Sequence, residues 1–119
     1  MRIDAKDNIN TRKCYLVTGV NIEYPLKKDP NKKVNIVNVK EIEFMDLNED
    51  DIFILHEEDG TVVTWNDGKD MVSKATGKPY YKTVNGLRIK SVNTDTYKLP
   101  FTDFKIVEGE AKWIYQKLL

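Results

Sequence analysis

The chain has 119 residues, with 40% hydrophobic and 32% charged residues and a formal net charge of zero. That balance suits one folded domain and excludes a disordered tail, and the apolar runs are too short to span a membrane. The single cysteine, Cys14, rules out an internal disulfide and fits a reducing, cytoplasmic setting.

The first eleven residues read as a flexible lead-in or an edge strand, with no apolar core of a secretory signal. "CYLVTGVNIEY" (14–24) is rich in β-branched and aromatic residues and predicts a strand, with a bulge at Gly19. "PLKKDPNKK" (25–33), with its prolines and lysines, is an exposed loop. "VNIVNVKEIEF" (34–44) alternates at Val34 and Ile36 and again at Ile42 and Phe44, as a half-buried strand does. "DIFILHE" (51–57) and "TVVTWND" (61–67) flank "EDG", a hairpin connection with glycine available for positive φ. "NG" at 85–86, ahead of "LRIKSV", is a second hairpin signal. "FKIVE" (104–108) reads as one more strand. Ala111, Ile114 and Leu118 then recur on one helical face, which predicts a closing helix over 109–119. The expected fold is mainly β (α+β): one domain over 1–119, a compact antiparallel sheet or small barrel with a short C-terminal helix.

"DLNEDDIFILHE", from Asp46 to Glu57, has the ligand spacing of a calcium loop, with Asp46, Asn48 and Asp50 at alternate places and Glu57 at the twelfth. Three features speak against one. The sixth position, which needs φ > 0, is Asp51 rather than glycine. The flanks alternate like strands, and Ile52 to Leu55 is a continuous apolar run. A turn feeding a buried strand is the expected structure, with no metal and no cofactor.

His56 is the only histidine, and as a general base for Cys14 it would need two strands to meet. No phosphate-loop, dinucleotide, nucleophile-elbow or zinc-protease motif is present, so the chain reads as a non-enzyme. Trp65, Tyr80 and Tyr81 stand among Arg88, Lys90 and other basic residues. Aromatic faces stack on bases, and Arg and Lys hold phosphates, so these five are the candidate ligand-binding residues. Charge is segmented as well. Residues 1–40 carry nine Lys/Arg against four acids, 41–70 one lysine against eleven acids, and 71–119 nine basic against four acidic residues. The acidic band would repel a long nucleic-acid track. It offers instead a partner-binding patch with Glu49, Asp50, Glu57, Glu58 and Asp59 for a basic protein surface.

Phe44, Asp46, Leu47, Asp51, Phe53, Asp59, Gly60, Pro79, Tyr80, Asn85 and Gly86 form a spaced pattern across residues 42–92. It comprises an aromatic and Asp-Leu, an acidic turn, a strand opening "DxF", a "DG" turn, a Pro-Tyr pair and an "NG" hairpin. This pattern resembles a class of short β-rich phage and prophage accessory proteins. The resemblance implies a compact, mainly antiparallel fold in the cytoplasm of an infected or lysogenic bacterial host, and it transfers no catalytic residue. By analogy, such proteins trap a nucleotide signal of host defence or cover a host protein. The expected function is therefore capture of a small nucleotide-like ligand to counter a host defence. The alternative is inhibition of a host protein through the acidic 41–70 band. A homo-oligomer, by default a symmetric dimer, is the expected assembly.

Overall fold

A computed structural model describes residues 2–6, 12–25, 28–29, 31–64, 70–101 and 103–109. The described chain is mainly β. Its strands are β1 (Arg2–Lys6), β2 (Lys13–Pro25), β3 (Lys33–Ile42), β4 (Ile52–His56), β5 (Val72–Ala75), β6 (Tyr80–Val84), β7 (Leu87–Thr96) and β8 (Lys105–Glu108). The predicted closing helix over 109–119 lies, beyond Gly109, outside the described residues, as does the far end of the predicted 61–67 strand. Among the described residues no helix is long and apolar enough to cross a membrane.

The chain packs as two compact units, one from Met1–Leu16 and Glu41–Lys98, the other from Val17–Lys40 and Leu99–Leu119. In the first unit the ladder order is β1-β7-β5-β4 and then the first residues of β2, with β6 also on β7. Every one of these pairings is antiparallel. β5 and β6 both run against β7, Ala75 opposite Thr94 and Tyr80 opposite Ser91. Four residues on their side (76–79) thus face only two on β7, and this excursion separates the two strands.

Alternation along the ladders assigns the core. Phe53 and Leu55 on β4, Cys14 on β2, Ala75 on β5 and Val92 on β7 form one buried cluster, and Phe44 and Leu47 join it. Phe44 was expected to extend the strand before it. Instead β3 ends at Ile42, and Phe44–Asp46 is a single 3-10 turn that swings the Phe44 ring against Phe53, edge to face at 6.3 Å. Asn48 and Asp51 then close a reciprocal turn. The Asn48 N–H donates to Asp51 Oδ2 at 2.8 Å, and the Asp51 N–H donates to the Asn48 carbonyl at 3.1 Å. The positive φ of this segment falls at Asp50, +74°, one residue before the place a calcium loop would turn. Ile52–His56 follows as an extended strand.

Both predicted turns are present. In "EDG" the Glu57 N–H donates to the Thr61 carbonyl at 2.7 Å and the Gly60 N–H to the Glu57 carbonyl at 2.9 Å, with Gly60 at φ +90°. Among the described residues of its second arm, Val62 makes an isolated bridge with His56, and Thr64 one with Asp70. At 85–86 both residues have positive φ and Val84 faces Leu87, the two-residue hairpin that Asn-Gly favours.

In the second unit the remainder of β2 neighbours β3, and β3 neighbours β8. β8 runs parallel to β3, Ile36 opposite Lys105 through Val39 opposite Glu108, a departure from the expected antiparallel sheet. A parallel partner needs a long connection, and this one returns from more than sixty residues away. Ile36, Val37, Asn38 and Val39 are all buried, so β3 is covered on both faces where period-two alternation was expected. The backbone irregularity of β2 lies at Glu23, φ +52°, and not at Gly19. Asn35 steadies it. Its Oδ1 accepts the Glu23 N–H at 2.9 Å and its Nδ2 donates to the Asp103 carbonyl at 3.1 Å. Gly19 has a packing role, since a Cβ there would stand 3.4 Å from Asn38 Nδ2.

Candidate functional site

β6 and β7 form the hairpin that carries four of the five candidate ligand residues; the fifth, Trp65, lies outside the described residues. Directly opposed residues of an antiparallel ladder share a face. Tyr81 stands opposite Lys90 and Thr83 opposite Arg88, so Tyr81, Arg88 and Lys90 occupy one face. Tyr80 stands opposite Ser91 on the other face, where its hydroxyl donates to Asn93 Oδ1 at 3.1 Å. The tyrosine pair is therefore split: one ring joins the cations and the other does not. Adjacent residues of a strand always part in this way, a parity that the sequence already contained.

Tyr81 is 46% exposed, and the Arg88 guanidinium carbon lies 3.7 Å from its ring centroid. This is cation–π contact, and it holds the planar donor fork of Arg88 in place over the hairpin. Lys90 is half-buried and lies two residues from the core residue Val92, on the same face of β7. The aromatic and cationic face is thus the outward continuation of the core face.

Lys90 also borders a concavity of about 420 Å³, together with Arg12, Cys14, Ile42 and Phe44. Three chain segments meet there: the entry to β2, the end of β3 with its 3-10 turn, and the middle of β7. Cys14, Ile42 and Phe44 give it an apolar floor, since all three belong to or pack against the core. Arg12 is fixed at its edge. Nε and Nη2 donate to Glu57 Oε1 at 3.0 and 2.9 Å, and Nη1 donates to the Asp4 carbonyl at 3.0 Å. Lys13 and Glu41, also in the lining, approach to 3.8 Å. Sequence reasoning missed this concavity because its residues are scattered over almost eighty positions. The usable signal was the apolar pair Ile42 and Phe44 straddling the end of a strand.

The acidic residues flank β4. Glu49 and Asp50 lie before β4 and Glu57, Glu58 and Asp59 after it, separated by five extended residues, roughly 17 Å at ~3.3 Å each. Asp50 approaches Lys74 Nζ at 3.6 Å, Glu57 holds Arg12, and Asp59 Oδ1 accepts the Thr61 hydroxyl at 2.6 Å and the Thr61 N–H at 2.9 Å. Those bonds hold the Asp59 carboxyl below its usual range, the hydroxyl contributing most. Among the described residues no group of three or more His, Cys, Asp or Glu is arranged to hold a metal ion.

His56 packs edge-on against Tyr15, ring centroids 4.3 Å apart. Cys14 is opposite Leu55, and His56 is opposite Lys13, so thiol and imidazole face opposite sides of their ladder. Burial, and after it the charge of Asp51, pushes the Cys14 thiol up to about 12, far from the range of a nucleophilic cysteine. No known protein family, curated protein or solved structure matches this chain.

Proposed function

We propose that this chain is a non-enzymatic binding protein that captures a small nucleotide-like ligand on the Tyr81 face of the β6–β7 hairpin. The observation that carries the reading is the sharing of one face by Tyr81, Arg88 and Lys90, with Arg88 already stacked on the ring. The planar guanidinium laid over the Tyr81 ring offers a stacking surface to any base, and its edge donors with a neighbouring ammonium can meet phosphate. Both elements sit on a tight hairpin, so little ordering remains to be done when the ligand arrives. In keeping with the phage resemblance of residues 42–92, capture would withhold the ligand from a host defence. The alternative, inhibition of a host protein through the acidic residues, has less to draw on, because those residues occupy opposite ends of β4.

The test is thermal unfolding of the purified protein against a panel of nucleotides, with the ligand recovered afterwards and checked for chemical change. Ligand at 100 times its dissociation constant adds about 2.7 kcal/mol, a rise of several degrees for a domain of this size. The expected result is a rise with one nucleotide class, intact ligand on recovery, and loss of the rise in the Arg88→Gln/Lys90→Gln double variant. A flat panel overturns the reading.

A further inference from the structure

Two separate surfaces flank Lys90. On one side is the Tyr81 ring, directly opposite Lys90 in the ladder and exposed. On the other is the concavity of about 420 Å³ that Lys90 borders, floored by Cys14, Ile42 and Phe44. Opposed residues in such a ladder have Cβ atoms about 5 Å apart, so one lysine side chain reaches both. Arg88 lies on the same face and is held against Tyr81 at 3.7 Å, which keeps its donors on the Tyr81 side of Lys90. Along this face the Tyr81 ring and the two cations lead to a hollow of mixed lining, in which Cys14, Ile42 and Phe44 lie beside Lys13, Glu41 and Glu43. The hollow is within the size range of small-molecule sites and has Arg12 fixed at its edge.

From this order we infer that the ligand is a dinucleotide, two bases joined through phosphate, rather than a mononucleotide. The inference rests on the nucleotide-capture reading. One base stacks on the guanidinium plane that Arg88 lays over Tyr81, the phosphodiester meets the edge donors of Arg88 and Lys90, and the second base enters the hollow over Ile42, which is only partly buried. A mononucleotide fills the cations and one of the two surfaces, leaving the other in water. Stacking of a base on protein contributes about ten- to a hundredfold in affinity, so the second base sets the difference between the two ligand classes. Phosphate alone engages only the middle of the site.

The experiment is titration calorimetry of the unaltered protein with dinucleoside monophosphates, the matching 5′-mononucleotides and inorganic phosphate. Ile42→Ala and Tyr81→Ser follow, each checked for fold by circular dichroism. The expected result is at least tenfold tighter binding of the dinucleotide than of either mononucleotide, with each variant bringing the dinucleotide down toward the mononucleotide's affinity. Equal affinity for mono- and dinucleotide overturns the inference and leaves nucleotide capture standing. Dinucleotide binding unchanged by Ile42→Ala in a folded protein also overturns it, because the hollow would then be empty. Absence of binding by any nucleotide removes both readings together. The first comparison uses no variant, so a failure of Ile42→Ala to fold leaves the inference testable.

Discussion

Cys14 and His56 sit on neighbouring strands and face away from each other. Cys14 shares its side of the ladder with Leu55 and His56 shares its own with Tyr15. The pair that composition alone would nominate for nucleophilic chemistry is separated by the thickness of a sheet. Cys14 is instead part of the packing among Phe44, Phe53 and Leu55, 2% exposed.

Its titration follows from that burial. The folded thiol is raised from 9.0 to about 12, so between those values the folded state keeps a proton that the unfolded state releases. The stabilising contribution is whole below pH 9 and is lost as pH rises toward 12. Urea unfolding of wild type and Cys14→Ala across pH 8 to 11.5 should show the wild type losing stability faster. Parallel curves would mean the thiol is not desolvated. At pH 8 a thiol-specific reagent should label folded protein only as fast as the core opens, and faster in step with added urea.

Thr94 stands on the core face of β7, 2% exposed, and its hydroxyl has no hydrogen-bond partner among the described residues. Thr94→Val keeps the shape and removes the desolvated hydroxyl, so it should stabilise by about 1 kcal/mol. The check is the urea midpoint, which should rise with an unchanged slope. A lower midpoint would show that the hydroxyl bonds in solution.

Gly86 has φ +78° and open space where a Cβ would point. Gly86→Ala therefore meets no neighbour and loses only conformational freedom, about 1 kcal/mol or somewhat more. Asn85→Gly, at φ +51°, should be close to neutral. Denaturant unfolding of the two variants should separate them in that order. The same hairpin presents Tyr81 and Arg88, so Gly86→Ala should also weaken any ligand that uses both.

Asp59 takes its lowered pKa chiefly from the Thr61 hydroxyl. Thr61→Val removes that donor and leaves the Thr61 backbone N–H, so the carboxyl should move part of the way back toward its ordinary value of 3.8. A carbon-detected NMR titration of the Asp59 side chain reads this directly. Because the folded value is depressed, the contribution of this bond to the turn is present above pH 3.8 and lost as pH falls through the lower folded value. An unmoved titration in Thr61→Val would assign the shift to the backbone.

The sequence was most informative where structure is local. Asn85-Gly86 and Asp59-Gly60 carry their turns in their own backbone preferences, and Ile52 to Leu55 announces β4 because its partners on both sides bury it. What escaped was set by distant partners. β5 is only four residues long, and its pairing depends on β4 and β7. The parallel union of β3 with β8 left only the continuous burial of Ile36 to Val39 as a trace. The acidic band is continuous in sequence and divided in space because β4 passes through its middle. Of the candidate site, the aromatic and basic residue types and the parting of adjacent Tyr80 and Tyr81 were legible, but not the register that sets Tyr81 opposite Lys90.

The two distant pairings have a further consequence, in time. Arg2 pairs with Asn93 and Ile36 with Lys105, so each unit is closed by strands far apart along the chain. During synthesis at about 5–20 residues per second, neither ladder can be completed until Asn93 and Lys105 have left the ribosome. Closing such long loops comes before any contact made across them, which places folding in the slow, millisecond-to-second range of β topologies. Until then β3, with its apolar Ile36, Val37 and Val39, lacks its β8 neighbour, and that interval is when this chain is most exposed to aggregation or to chaperones.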